Sequence, residues 1–212
     1  MSLLWAFLLA APSLGTPLRQ DGYVLRPPQN FRMARMDLFH GTRAGAAAGG
    51  APGRWLSAAL IDGQEEDASS LLVSIVERSF QPSPAARDDF STAVVRHYAD
   101  ELGLKFSMER AELVAGASPR IEVLGTVRAQ NQARHVLVAA MAGEGRHAVV
   151  TFSIPSGRYE ALSGALRASL DSYRPDAPIA NERSRGAVRV IAGLLAFALV
   201  ASWWLRRRLR RR

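Results

Sequence analysis

Cysteine is absent from all 212 residues. That excludes disulfides, a thiol nucleophile, thiolate zinc sites and a lipid-modified N-terminal cysteine. It leaves the compartment open, because an exported protein need not use disulfides. The short signatures of common chemistry are missing as well: no HExxH, no GxGxxG, no Gly-Lys-Ser/Thr phosphate loop and no GxSxG elbow. The main body also has little net charge. The chain totals +8, of which Arg206, Arg207, Arg208, Arg210, Arg211 and Arg212 supply +6, leaving +2 for everything before them. A body so nearly neutral offers no basic face, and no nucleic acid is expected as a partner. The apolar fraction of 48% is that of a folded protein.

What the chain does have is two hydrophobic ends. Residues 190–205 carry no charge, and starting the run at Ala187 adds only Arg189. At 1.5 Å per residue, the stretch 187–205 reaches roughly 28 Å, close to the hydrocarbon thickness of a bilayer. Its strong apolar side chains favour insertion by about 3–4 kcal/mol. Arg189 sits near one end, where its stem can snorkel at a reduced cost. Trp203 and Trp204 fall where an interfacial aromatic belt belongs, directly before Arg206, Arg207 and Arg208. A soluble helix would show a polar stripe, and this one has none. The sequence therefore predicts one C-terminal transmembrane helix at 187–205, with membrane lipid as its partner. By the positive-inside rule the Arg-rich tail at 206–212 stays cytoplasmic and the body lies outside the cytoplasm, periplasmic in a bacterium.

That topology requires an export signal, and the other end supplies one. Residues 3–11 form an uninterrupted apolar run of nine, the length of a signal-peptide core. Ser13 and Gly15 offer small residues for a cut after Gly15. The predicted organisation is a signal peptide at 1–15, a body at 21–175, a tether at 176–186, then the span and tail. In the span, Ala192 with Ala196 and Ala198 with Ser202 are small-residue pairs of the kind that supports a helix homodimer.

The body reads as mixed α and β. Residues 23–25 form a short strand stopped by Pro27-Pro28, and 30–37 suggest a second. A loop of small residues fills 41–53. Strands are expected at 55–61 and 71–77. Ser83 and Pro84 open a helix that Gly103 stops, with Phe90, Val94, Tyr98 and Leu102 on one stripe. Four strands follow at 105–114, 120–128, 135–141 and 147–154. The last two form a hairpin centred near Glu144, in which His135 would face Ser153 and Met141 would face His147. A final helix with Ser156 as its cap carries Tyr159, Leu162, Leu166, Leu170 and Tyr173 on one side. The fold class is α+β, an antiparallel sheet with packed helices arranged as an α/β/α sandwich.

Gly22-Tyr23 through Pro27 and Phe31, together with the closing stretch RHVLVAAMAGEGRHAVVTFSIPSGRYEALSGALRASLDSYR, resemble the PsbP-like fold family. That family includes the extrinsic photosystem protein, a Ran-binding nuclear transport factor and bacterial DcrB-like proteins. The resemblance covers residues 21–175, ends on Ser172, Tyr173 and Arg174, and is broken by the Gly/Ala stretch at 41–53. It implies a small sandwich that binds partners or assembles complexes. The family has no shared catalytic set, so no functional residue carries over.

No catalytic, cofactor or metal residues stand out. His40, His97, His135 and His147 lack metal-ligand spacing and are expected at the surface or at strand edges. Glu65, Glu66 and Asp67 read as a solvated turn, and Glu109, Glu112 and Glu122 as residues of a strand face. The site-like residues are the anchoring ones: Trp203, Trp204, Arg206, Arg207 and Arg208. The expected function is a membrane-anchored extracytoplasmic binding or assembly module with a protein partner. The alternatives are a membrane-bound hydrolase whose site forms from distant residues, and a cytoplasmic tail-anchored chaperone or adaptor.

Overall fold

The computed structural model describes residues 12–34, 54–63, 67–129 and 132–176. Among them no helix is long and apolar enough to cross a membrane. The apolar run at the amino end, His40, the Gly/Ala stretch, Glu65, Glu66, and the predicted span with Trp203, Trp204, Arg206, Arg207 and Arg208 all lie outside the described residues.

The first element among the described residues is a hairpin that sequence reasoning passed over. Strands β1 (Leu18–Gln20) and β2 (Tyr23–Leu25) pair across Asp21-Gly22, both at positive φ, +47° and +79°. Asp-Gly is the pair that such a two-residue turn prefers, because glycine meets the left-handed backbone without a Cβ clash. The segment just ahead joins in. Gly15 N donates to Pro27 O, Gln29 N donates to Ser13 O, and Leu14 bridges Pro28. Residues on the near side of the expected signal-peptide cut are thus hydrogen-bonded into the body.

Seven strands make the main sheet. They are β3 (Arg32–Met33), β4 (Arg54–Asp62), β5 (Ser69–Val76), β6 (Phe106–Val114), β7 (Arg120–Ala129), β8 (Gln132–Met141) and β9 (His147–Pro155), in the spatial order β3-β4-β5-β9-β8-β7-β6. Every pairing is antiparallel. Of the strand expected at 30–37, residues 35–37 lie outside the described residues, and β3 pairs with Leu60 and Ile61. Helix α1 (Pro84–Arg96) begins as anticipated, with Ser83 Oγ accepting from Ala86 N at 3.1 Å and Pro84 in the first turn. It then widens into a π-helical turn, His97–Glu101, and ends near Gly103 at φ +65°. Helix α2 (Ser156–Asp171) follows β9 without a gap. Pro155 still pairs with Arg134 and also occupies the cap position, so Ser156 is the first helical residue rather than the cap. A two-residue strand, β10 (Arg174–Pro175), closes a small sheet with β2 and β1.

The sheet is covered on both faces, as the sandwich expectation requires. Because side chains alternate across a strand, Leu71, Val73 and Ile75 of β5 and Ala148, Val150, Phe152 and Ile154 of β9 point one way. There they meet Leu166 and Leu170 of α2 and Tyr23 and Leu25 of β2. Each leucine, isoleucine, valine or phenylalanine among them, fully removed from water, contributes about 1.5–3 kcal/mol. The opposite face carries Ile121, Val123, Val127, Val136 and Val138 against Val94 and Tyr98. The closing Ser-Tyr-Arg stretch clips the two sheets together. Ser172 Oγ accepts from Arg26 N at 2.8 Å, Tyr173 stacks on Tyr23 with ring centres 6.2 Å apart, and Arg174 donates to Ser118 Oγ at 2.6 Å.

The β8–β9 hairpin sits one residue from the expected register. His135 faces Ile154 and Val136 faces Ser153. Both faces of these strands are apolar, so the hydrophobic pattern alone does not set the pairing. The observed register places Leu137 and Ala139 beside Phe152 and Val150 on the α2 face.

Candidate functional site

Helix α1 packs over β6 and β7, and among the described residues it leaves part of the same sheet face, toward β5 and β4, less closely covered. The result is a pocket of about 290 Å³, near the lower end of the ~300–1,000 Å³ typical of small-molecule sites. Its floor follows from strand alternation. On the face of β5 turned away from α2, Ser70, Leu72 and Ser74 lie opposite Ser153, Thr151 and Val149 of β9. Val136 and Val138 extend these rows into β8. The wall is built by α1 and its π-helical turn through Phe90, Val94, His97 and Tyr98, with Leu102 and Leu104 beyond. The π-turn closes this end, Leu104 N donating to Tyr98 O at 2.8 Å. Burial pushes the Tyr98 phenol well above its usual range.

Two arginines give the pocket its charge. Arg134, on β8, donates from Nε to Ser153 Oγ at 2.9 Å, and from Nη2 to Ala68 O at 2.5 Å and Ser153 O at 3.0 Å. Arg54 opens β4, and its Nε is buried without a hydrogen-bond partner among the described residues. Burial lowers the pKa of both guanidiniums; Glu101 partly offsets this at Arg54, and Asp67 at Arg134. His97 lies at 3.1 Å from Glu101 through Nδ1. The arrangement suits a ligand with one polar, electron-rich end and an apolar body. Nothing in the sequence advertised it. Arg54 follows a run of glycine and alanine and reads as a loop boundary, and the hydroxyl rows emerge only when β5 and β9 are paired.

The remaining histidines divide. His135 stacks on Tyr159, with ring centres 4.3 Å apart, and its Nε2 lies 3.7 Å from Glu109. His147 departs from the surface or edge role expected of it: it is 6% exposed and stacks on Phe80 at 5.0 Å, with Nδ1 2.7 Å from Arg78 O. Sequence reasoning missed this because the ring is covered by Phe80, a residue from beyond the far end of β5. Burial holds the His147 pKa below the ordinary 6.5, and the charges of Arg78 and Arg54 add to that shift. The unfolded chain therefore takes up its proton first as pH falls. Stability from this group is complete above about pH 6.5 and declines below it. We expect the unfolding midpoint in urea to fall between about pH 7 and pH 5, and to fall less in His147→Gln. A variant with the same pH slope as the parent would remove His147 from the account.

Among the described residues no three His, Asp or Glu side chains gather as a metal site. Glu109, Glu112 and Glu122 do not act together: Glu112 lies 3.6 Å from Arg110, whereas Glu122 is buried and paired with Arg120 at 2.7 Å.

No family model and no curated protein sequence matches the chain. Solved structures do. CyanoP, the cyanobacterial PsbP of Synechocystis sp. PCC 6803, superposes with a TM-score of 0.58 at 15% identity, over 79% of this chain and 95% of that one. LpqN of Mycobacterium tuberculosis, described as involved in cell envelope biogenesis, gives a TM-score of 0.40 at 13% identity, over 74% of this chain and 88% of that one. PA94 of Pseudomonas aeruginosa, a protein of unknown function, gives 0.40 at 9% identity, over 74% and 94%. At 15% identity the likeness to CyanoP is one of fold, and the fold is PsbP-like, as the opening and closing stretches led us to expect.

Proposed function

We propose that this protein is a membrane-tethered binding module whose PsbP-like body stands outside the cytoplasm and takes its ligand in the pocket beside α1. The observation that carries the binding half is the pocket itself, apolar on most of its surface and charged at Arg54 and Arg134. The tether rests on sequence: the uncharged run 190–205, Trp203 and Trp204 at its edge, and six arginines beyond. Each half has its own test. In spheroplasts, external protease should digest the body and spare a tag fused after Arg212, and only detergent should release the chain from membranes. A protected body, or release by alkaline carbonate, overturns the topology. In the same material the mature amino terminus should lie ahead of Ser13, because a cut after Gly15 would strip the Ser13 and Gly15 hydrogen bonds to Gln29 and Pro27. For the pocket, the chain purified from membranes should release a small molecule on denaturation. Ala93→Trp, which fills the pocket from α1, should release none. Equal yields from the two would refute binding there.

A further inference from the structure

The chemistry of the ligand can be read from the groups at the pocket, and this step rests on the binding reading above. Buried charged donors almost always have a partner, since an unpartnered one carries its full desolvation cost. Arg54 breaks that rule, its Nε being out of contact with water and bonded to nothing among the described residues. The acid that acts on it through space, Glu101, is half exposed and already lies 3.1 Å from His97. Arg134 adds a second guanidinium at the same pocket, holding Ser153 and the Ala68 carbonyl. Away from these two groups, Leu72, Val136, Val138 and Val149 of the sheet and Phe90 of α1 supply the apolar part of the lining, beside the hydroxyls of Ser70 and Thr151. A neutral apolar ligand would bring no counter-charge to the two guanidiniums, and a simple inorganic anion would leave the apolar side chains of the lining unused.

We infer that the pocket binds a small amphipathic anion, a carboxylate or phosphate monoester on an apolar body, with its charged end on the Arg54 guanidinium and its body against the sheet. Octanoate is the simplest such probe, octyl phosphate tests the other head group, and 1-octanol keeps the body without the charge. Each is titrated calorimetrically into the full-length chain held in nanodiscs of zwitterionic lipid, with empty discs subtracted. Octanoate or octyl phosphate should bind saturably at one site per chain, and whichever binds more tightly identifies the head group. Arg54→Gln should weaken that binding about tenfold or more, the worth of one charged hydrogen bond, and leave 1-octanol unchanged. Ala93→Trp should abolish binding of all three. If 1-octanol binds as well as the anions and Arg54→Gln changes nothing, the anionic assignment falls while the pocket stands. If Ala93→Trp leaves anion binding intact, the anions bind elsewhere and both readings fall. If no probe binds the parent chain, the anionic assignment falls, and the pocket is then judged on the co-purified molecule alone. Urea unfolding of Arg54→Gln guards against misfolding; a midpoint at or above the parent's shows that any loss of binding belongs to the site.

Discussion

Replacing Arg120 with methionine is expected to cost about 3–5 kcal/mol, which lowers the melting midpoint of a body this size by roughly 10 °C. Arg120 and Glu122 both lie on β7 with side chains only 4% exposed, and Arg120 Nε meets Glu122 Oε1 at 2.7 Å. Arg120 Nη1 donates to Ser118 O at 3.1 Å, and Nη2 reaches Asp171 Oδ1 at 2.8 Å, tying the end of α2 to the sheet. Removing the arginine leaves a carboxylate buried with Ala139 and Glu112 as its cross-strand neighbours. That uncompensated charge, more than the lost bond, sets the cost. The double variant Arg120→Met with Glu122→Leu should recover most of the stability, because it removes both desolvation penalties and keeps the volume. Asp171→Asn should cost about 1 kcal/mol or less, since Asp171 is 65% exposed and its attraction is screened. Urea titrations of the four proteins check this. A double variant no more stable than the single would mean that the packing of the arginine stem, and not its charge, is what matters.

That pair also marks where sequence reading stops. Arg120, Glu122 and Leu124 alternate with Ile121 and Val123, the pattern of a strand with one wet face. The polar face of β7 is instead covered by the end of α2, an element some thirty-five residues further along the chain. By contrast, the apolar stripes of α1 and α2 were legible because their periodicity is local, and so was the pairing of β8 with β9 across a short turn. The sandwich followed from counting elements and from β8, whose two faces are both apolar. The single-residue register shift in the β8–β9 hairpin was not legible, for that same reason. The pocket was least legible of all. Its floor is made of side chains from β5, β8 and β9, and its width depends on where α1 comes to rest and on a π-turn that no residue pattern announced. The Asp21-Gly22 turn is the reverse case, a strong local indication that was available and went unread.

Gly125→Val is expected to destabilise the body by about 3 kcal/mol, the upper end of the usual overpacking range, and to weaken binding in the pocket as well. A glycine within a strand normally weakens it, so one that persists at the centre of β7 points to a close approach. Here a Cβ on Gly125 would lie 2.6 Å from Ser107 O and 2.5 Å from Phe106 Cζ. The backbone oxygen cannot move without disturbing the β6–β7 ladder, which is already irregular between Met108 and Arg110. The Phe106 ring can move, but it rests on Tyr98 with ring centres 5.0 Å apart, and Tyr98 forms part of the pocket wall. Strain at Gly125 therefore passes through two rings to the ligand site. Phe106→Ala in the same chain should relieve the ring clash and leave the backbone clash, so the double variant should regain only part of the stability, after allowing for the cavity that Phe106→Ala creates alone. Octanoate affinity should separate the two effects: lost in Gly125→Val, it should recover once the ring no longer presses on Tyr98. Gly125→Val with unchanged octanoate affinity would show that β7 yields without moving the wall, and that α1 and its π-turn hold the pocket open on their own.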